Sequence, residues 1–233
     1  MKAPALIKRH STKGVRQACR DLWTELKIQR RHFSSVRKAK QLQNSADLKL
    51  HLGCGPCIKP GWVNVDTFAV QADLQLDLRE RFPFPDACAS FVFSEHFFEH
   101  LEYPNPAIDF LKECWRVLQP SGTLSLGVPD TEWPILSYAN GDPTYFSLAR
   151  ARFHPAWCNT RMHNLNYHFR QGREHKYAYD FETLKQILES AGFISIARRS
   201  FVPGLDSDAR RVDSLPRNSA GLYVNALKPR LSS

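Results

Sequence analysis

The stretch that decides the reading runs from Leu48 to Asp66, LKLHLGCGPCIKPGWVNVD. It carries two readings at once. Cys54-Gly55-Pro56-Cys57 has the spacing of a redox dithiol, while Leu48 to Leu52 followed by Gly53 and Gly55 has the form of a strand ending in a glycine turn. A dithiol works at the start of a helix, where the helix terminus lowers the thiolate pKa. Here Pro60-Gly61 would end such a helix almost at once, and an apolar run resumes at Trp62. A cofactor turn makes other demands. Backbone must approach a ligand closely, which Gly53 and Gly55 permit by lacking a Cβ. The next strand should end in a carboxylate that accepts from a ribose diol, and Asp66 stands there. The surrounding residues therefore favour the cofactor turn.

Outward from this stretch the chain alternates short apolar runs with amphipathic ones. Trp62 to Val65, Ala72 to Leu78, Ala89 to Phe93 and Thr123 to Val128 read as further strands. Pro104 to Leu118 reads as a helix with Ile108, Leu111, Cys114, Trp115 and Leu118 on one side, broken by Pro120-Ser121-Gly122. Asp180 to Ala191 reads as a second helix, with Asp180 as N-cap and Gly192 as stop. Phe193 to Ala197 and Ala220 to Leu227 read as the last strands, and the loop between them holds Pro203, Gly204, Asp206, Asp208 and Arg210-Arg211. Such alternation predicts an α/β domain with a mostly parallel sheet. Residues 129–179 break the pattern, being rich in aromatic, His and Arg side chains.

The chain has 233 residues and a net charge of +9, and the charge is uneven. Residues 1–45 hold twelve of the 32 Lys/Arg but only Asp21 and Glu25 of the 23 acidic residues. The basicity thus belongs to an N-terminal helical arm, and the near-neutral body gives little reason to expect a grip on nucleic acid. In the arm Val15, Ala18, Leu22 and Leu26 recur at helical spacing. The plain expectation is a stripe packed on the body; the alternative is docking on a partner or, peripherally, on an anionic membrane. No apolar run is long enough for a membrane span, and the N-terminus is a poor secretory signal. Six scattered cysteines predict reduced thiols in a cytoplasmic protein. The reading divides the chain into an arm (1–45) and a catalytic domain (46–233) with an inserted acceptor-binding region at about 130–179.

Three segments, LHLGCGPCIKPGWVNVD, DLRERFPFPDACASFVFSEHFFEHL and ECWRVLQPSGTLSLGVPD, resemble in order and spacing the motifs of class I S-adenosylmethionine-dependent methyltransferases. The likeness is to a compact, type 11-like bacterial subgroup and covers roughly residues 48–200. Cys57 and Ser121 depart from its pattern. The resemblance implies a Rossmann-like, seven-stranded sheet with helices on both faces and S-adenosylmethionine as cofactor. It implies that Gly53, Cys54 and Gly55 meet the methionine part, Asp66 the ribose, and Asp77 and Leu78 the adenine. Ser94, Glu95 and His96 would line the place where donor meets acceptor. The subgroup is often associated with cell-surface glycan synthesis, so the expected acceptor is a saccharide or glycolipid intermediate. An RNA or protein methyltransferase is the alternative, as is a non-catalytic binding partner of a synthase.

His96-Phe97-Phe98-Glu99-His100 also matches the zinc pattern H-x-x-E-H. It begins at a predicted strand end rather than within a helix, and the methyltransferase motif uses the same letters without metal. His154, Cys158, His163, His168 and His175 lack zinc spacing. No metal is therefore expected: His100 reads as a structural residue and His96 as the base, with His175 as its counterpart from the inserted region. His163, His168, Arg170 and Tyr177 are the expected contacts to acceptor, through ring stacking and charge.

Overall fold

The computed structural model describes residues 11–199 and 221–230. Six strands form one sheet: β1 (Leu48–Leu52), β2 (Val63–Val65), β3 (Ala89–Glu95), β4 (Leu118–Pro129), β5 (Ile194–Arg198) and β6 (Gly221–Leu227), in the order β2-β1-β3-β4-β6-β5. The first four pair in parallel, with Leu50 opposite Val63 and Val92, and Val92 opposite Leu124. β6 runs against both β4 and β5. The expected Rossmann-like, mostly parallel α/β sheet is present, with six strands among the described residues instead of seven. The missing one is the segment Ala72–Leu78, which contributes a single bridge from Leu74 to Val65. Its backbone bonds go elsewhere. The Gln75 and Asp77 N–H groups donate to Ser35 Oγ (2.8 Å) and His32 Nδ1 (3.2 Å) of the N-terminal helix. That helix covers the sheet edge and takes the place of a further strand.

Strand register puts Leu50, Val92, Leu124 and Ala226 in one line across the sheet. This face carries the main core. Helix α2 (Asn105–Val117) adds Phe110, Leu111 and Cys114, and α6 (Phe181–Ser190) adds Leu184 and Leu188. Each such side chain contributes about 1.5–3 kcal/mol by burial. The opposite face aligns His51, Phe93, Ser125 and Asn225. There the β1–β2 crossing carries no helix but lays Trp62 near Phe91 and Phe93, at ring separations of 5.5 and 6.5 Å. Pro60-Gly61 leaves no length for a helix in this crossing. Asp180 does cap α6, accepting from the Thr183 N–H at 2.8 Å, and Gly192 ends it with φ +93°.

Helix α1 (Lys13–Ala39) buries side chains against the body in its C-terminal half, at Ile28, Ser35 and Ala39. Val15, Leu22 and Leu26, expected to pack on the body, are exposed, as are Trp23 and Phe33. The inserted region forms α3 (Glu132–Ala139), α4 (Thr144–Arg152) and α5 (Arg161–Arg170) around a small core of Tyr145, Phe146, Ala149 and Leu165. Its two ends meet at a bridge between Asp130 and Tyr179, reinforced by Thr131 Oγ1 donating to the Tyr179 carbonyl at 2.7 Å. The loop holding Pro203 to Arg211 lies outside the described residues.

Candidate active site

The cofactor end is built by backbone. After β1 the chain turns through Gly53 (φ +70°) and Gly55 (φ +51°), a conformation that only glycine adopts freely. A Cβ on Gly53 would stand 2.5 Å from that of Phe97, while one on Gly55 would meet nothing within 4 Å. The turn is thus closed on one side by an aromatic ring and bare on the other. Asp66, at the end of β2, lies against it: Oδ2 accepts from the Gly55 N–H (3.0 Å), and Oδ1 from the Phe68 and Ala69 N–H groups (2.7 Å each). Bare backbone beside a partly exposed carboxylate suits a ribose-bearing cofactor. The dithiol reading fails here. Cys54 and Cys57 are free thiols, and burial followed by the Asp66 charge pushes Cys54 up to about 12, away from a reactive thiolate.

Asp77 stands apart from this turn, beside a groove of about 720 Å³ bounded by α1. Arg79 bonds both its oxygens and reaches Glu25 of α1 at 2.7 Å. Burial alone would raise Asp77, but the Arg79 hydrogen bonds and charge hold it below the usual carboxylate range. The Leu78 side chain is buried in the core, leaving its backbone as the part able to meet a ligand.

The end of β3 supplies the second half of the site. Ser94 faces the core and is buried, whereas Glu95 accepts from the Tyr223 hydroxyl. His96 follows with φ +50°, its N–H donating to the Gly127 carbonyl at 2.9 Å. A turn over Phe98–His100 then places Glu99, anchored by Phe98, whose ring lies 4.9 Å from Tyr179 and 5.8 Å from Phe110. Glu99 is 1% exposed. Its Oε1 lies 3.3 Å from His96 Nδ1 and 3.9 Å from the Nε2 atoms of both His100 and His175. His96 and His175, far apart in sequence, are thus joined by one carboxylate that the sequence reading left without a role. Burial lowers His175 most strongly, and the Glu99 charge opposes it.

These residues line a cavity of about 390 Å³ shared with the inserted helices, which add Tyr145, Arg152, His154, Tyr167 and Gln171. His168 lies in its wall, with Nδ1 2.8 Å from the Tyr145 hydroxyl, and burial lowers it to about 3. Three expected acceptor contacts sit elsewhere. His163 is exposed and pairs with Asn159 at 2.9 Å, Arg170 is exposed, and Tyr177 stacks on Tyr103 beside a small adjoining space. Both His163 and Arg170 fall on the outer side of α5, which its phase in the sequence did not reveal. Glu99 was visible in the H-x-x-E-H spacing and His154 in the histidine-rich stretch of the inserted region; Tyr145 and Arg152 carried no local signal.

Residues 55–126 match the family described as a methyltransferase domain. No curated protein sequence matches the chain. Among solved structures, a SAM-dependent methyltransferase from Archaeoglobus fulgidus is 18% identical, covering 88% of this chain and 94% of its own, with a TM-score of 0.45. A SAM-dependent methyltransferase from Thermotoga maritima is 15% identical, with coverages of 86% and 91% and a TM-score of 0.43. A phosphoethanolamine N-methyltransferase from Haemonchus contortus is 12% identical, with coverages of 80% and 49% and a TM-score of 0.42. The family match takes in Gly55, Asp66, the β3 end and most of β4, and the chain carries a methyltransferase domain, that of an enzyme whose cofactor is S-adenosylmethionine.

Proposed function

We propose that the enzyme methylates a hydroxyl of a saccharide or glycolipid intermediate of cell-surface glycan synthesis. The observation that carries this is the cavity beside His96, where the rings of Tyr145 and Tyr167 stand among Arg152, His154 and Gln171. Flat rings interleaved with donors and acceptors suit a polyhydroxyl ring, which offers apolar faces and polar edges. In this reading Gly53, Cys54 and Gly55 hold the methionine part of the cofactor and Asp66 its ribose. Asp77 and the Leu78 backbone hold the adenine, and Ser94 and Glu95 close the site. S-adenosylmethionine would supply an electrophilic methyl group to the acceptor oxygen, with S-adenosylhomocysteine as the leaving group. The protein aligns the reacting atoms and excludes water. His96 Nε2 takes the hydroxyl proton, while Glu99 behind Nδ1 stabilises the imidazolium so formed. His175 and His168 hold the acceptor in register.

Helix α1 supports work near a membrane on the cytoplasmic side. Val15, Leu22, Leu26 and Phe33 fall on one stripe and are exposed, and eight Lys/Arg flank them against two acids. An apolar stripe between cations is what an anionic lipid surface binds. No described helix is long and apolar enough to cross a membrane. Incubation with labelled S-adenosylmethionine and separated glycolipid, RNA and protein fractions tests the acceptor. Label in the glycolipid fraction is expected, and label confined to RNA or protein would overturn this choice.

A further inference from the structure

Glu99 poses a chemical problem. It is buried, and neither carboxylate oxygen receives a hydrogen bond. Burial of an ionised carboxylate is costly unless a cation or several donors compensate it. His96 Nδ1 faces it at 3.3 Å, and the other groups facing it are imidazoles whose protons are committed elsewhere. His100 Nδ1 lies 3.2 Å from the Glu174 carbonyl, and His175 Nδ1 lies 2.9 Å from the His168 carbonyl. A carbonyl only accepts, so each Nδ1 carries the proton. In a neutral ring Nε2 is then a lone pair, and both Nε2 atoms face the same Glu99 oxygen.

We propose that Glu99, His100 and His175 form a binding site for a divalent transition-metal ion of the zinc class. Their ligand atoms all lie within 4.8 Å of one another. Ligands of a tetrahedral zinc stand ~3.3 Å apart, from bonds of ~2.0 Å, so the observed 3.9 Å separations need only a small inward closure. Two imidazoles and one carboxylate are the donor set of catalytic zinc and ferrous sites, with further positions left for a small molecule. The Nδ1–H to carbonyl bonds are the outer contacts that orient ligating histidines. Magnesium and calcium prefer all-oxygen sets and are not matched. All three residues border the acceptor cavity, so the open position faces it. A second consequence is mechanical. Glu99 and His100 belong to the turn after β3, while His175 comes from the inserted region, so the ion would fasten that region to the sheet. The Glu99 carbonyl already accepts from the Lys176 and Tyr177 N–H groups, at 2.8 and 3.3 Å, along the same seam. Use of the ion to bind and acidify the acceptor hydroxyl rests on the methyl-transfer reading above; the ion site itself does not.

The full chain, stripped with chelator, reloaded with zinc and desalted, is assayed for metal per chain. About one zinc per chain is expected, with cobalt giving a visible ligand-field spectrum on the same sample. Glu99→Gln and His175→Ala lower zinc affinity at least about tenfold, with circular dichroism confirming the fold, while His163→Ala leaves it unchanged. Failure of the wild-type chain to retain zinc, or equal retention by Glu99→Gln and His175→Ala, overturns the site. Calorimetric binding of S-adenosylmethionine is read on the same preparations: its loss would count against the methyltransferase reading and leave the metal result standing.

Discussion

The two ends of the active site are made in opposite ways. The cofactor end is a single continuous stretch, Gly53 to Asp66, held by backbone conformation and by three N–H bonds to one carboxylate. The acceptor end is assembled from His96 to His100 on one side and from Tyr145 to His175 on the other, held by side chains. Glycines and a strand end leave a local trace in sequence. The H-x-x-E-H spacing shows Glu99, but its meeting with His175 from a distant segment leaves no local trace. The contrast teaches where each end should be fragile: the first to any added Cβ, the second to charge and protonation.

The largest effect belongs to the glycine turn. Gly53→Val places a β-branched residue at φ +70° and drives its Cβ into Phe97. Strain and overpacking together cost about 3 kcal/mol, and calorimetry should find no cofactor binding. A valine variant that binds normally would show that the turn is not the cofactor cradle. Next, Asp66→Asn removes charge but little volume. It weakens cofactor binding by at least about tenfold, since bonds to a charged group contribute about 1.5–3 kcal/mol, and a thermal melt should register the loosened caps at residues 55, 68 and 69.

The acceptor end is tested by pH. His168 is neutral in the fold, with its value lowered by burial to about 3, while the unfolded chain titrates near its ordinary value. The unfolded state therefore binds more protons between these values, and stability falls as pH drops through the window. At pH 5 the loss relative to pH 7.5 is about 2 kcal/mol for this group, and urea melts should show it shrinking in His168→Gln. A pH slope identical in both proteins would remove His168 from the account. The smallest effect concerns α1. Leu22→Asp changes stability by less than about 0.5 kcal/mol because the side chain is exposed, yet it should release the enzyme from anionic vesicles. Unchanged vesicle binding would detach the arm from any membrane role.

Much of the frame could be read from residues alone. The strands at Leu48 and Ala89, the Asp180 cap and the Gly192 stop all answer to local rules, and each stands where periodicity and turn chemistry put it. The segment Ala72–Leu78 did not become a strand, because its N–H groups bond to His32 and Ser35 of a helix some forty residues earlier. The Val15–Leu26 stripe was legible as amphipathic, but which partner it faces is a tertiary matter, and it faces outward. At the acceptor end the identity of the histidines was plain while their pairing was not. His163 and His175 carry equal weight in a sequence; only the packing of α5 turns one to solvent and the other toward Glu99.

The bridge between Asp130 and Tyr179 gives the acceptor-binding region a property of its own. Because the chain leaves the sheet and comes back at adjacent points, everything between behaves as a removable cassette. Its closure entropy is settled at the seam and grows only slowly with the length of the cassette. Lineages could exchange this piece whole, altering which molecule is modified while the donor-binding half stays untouched, and a graft between related enzymes should be cut at these two residues.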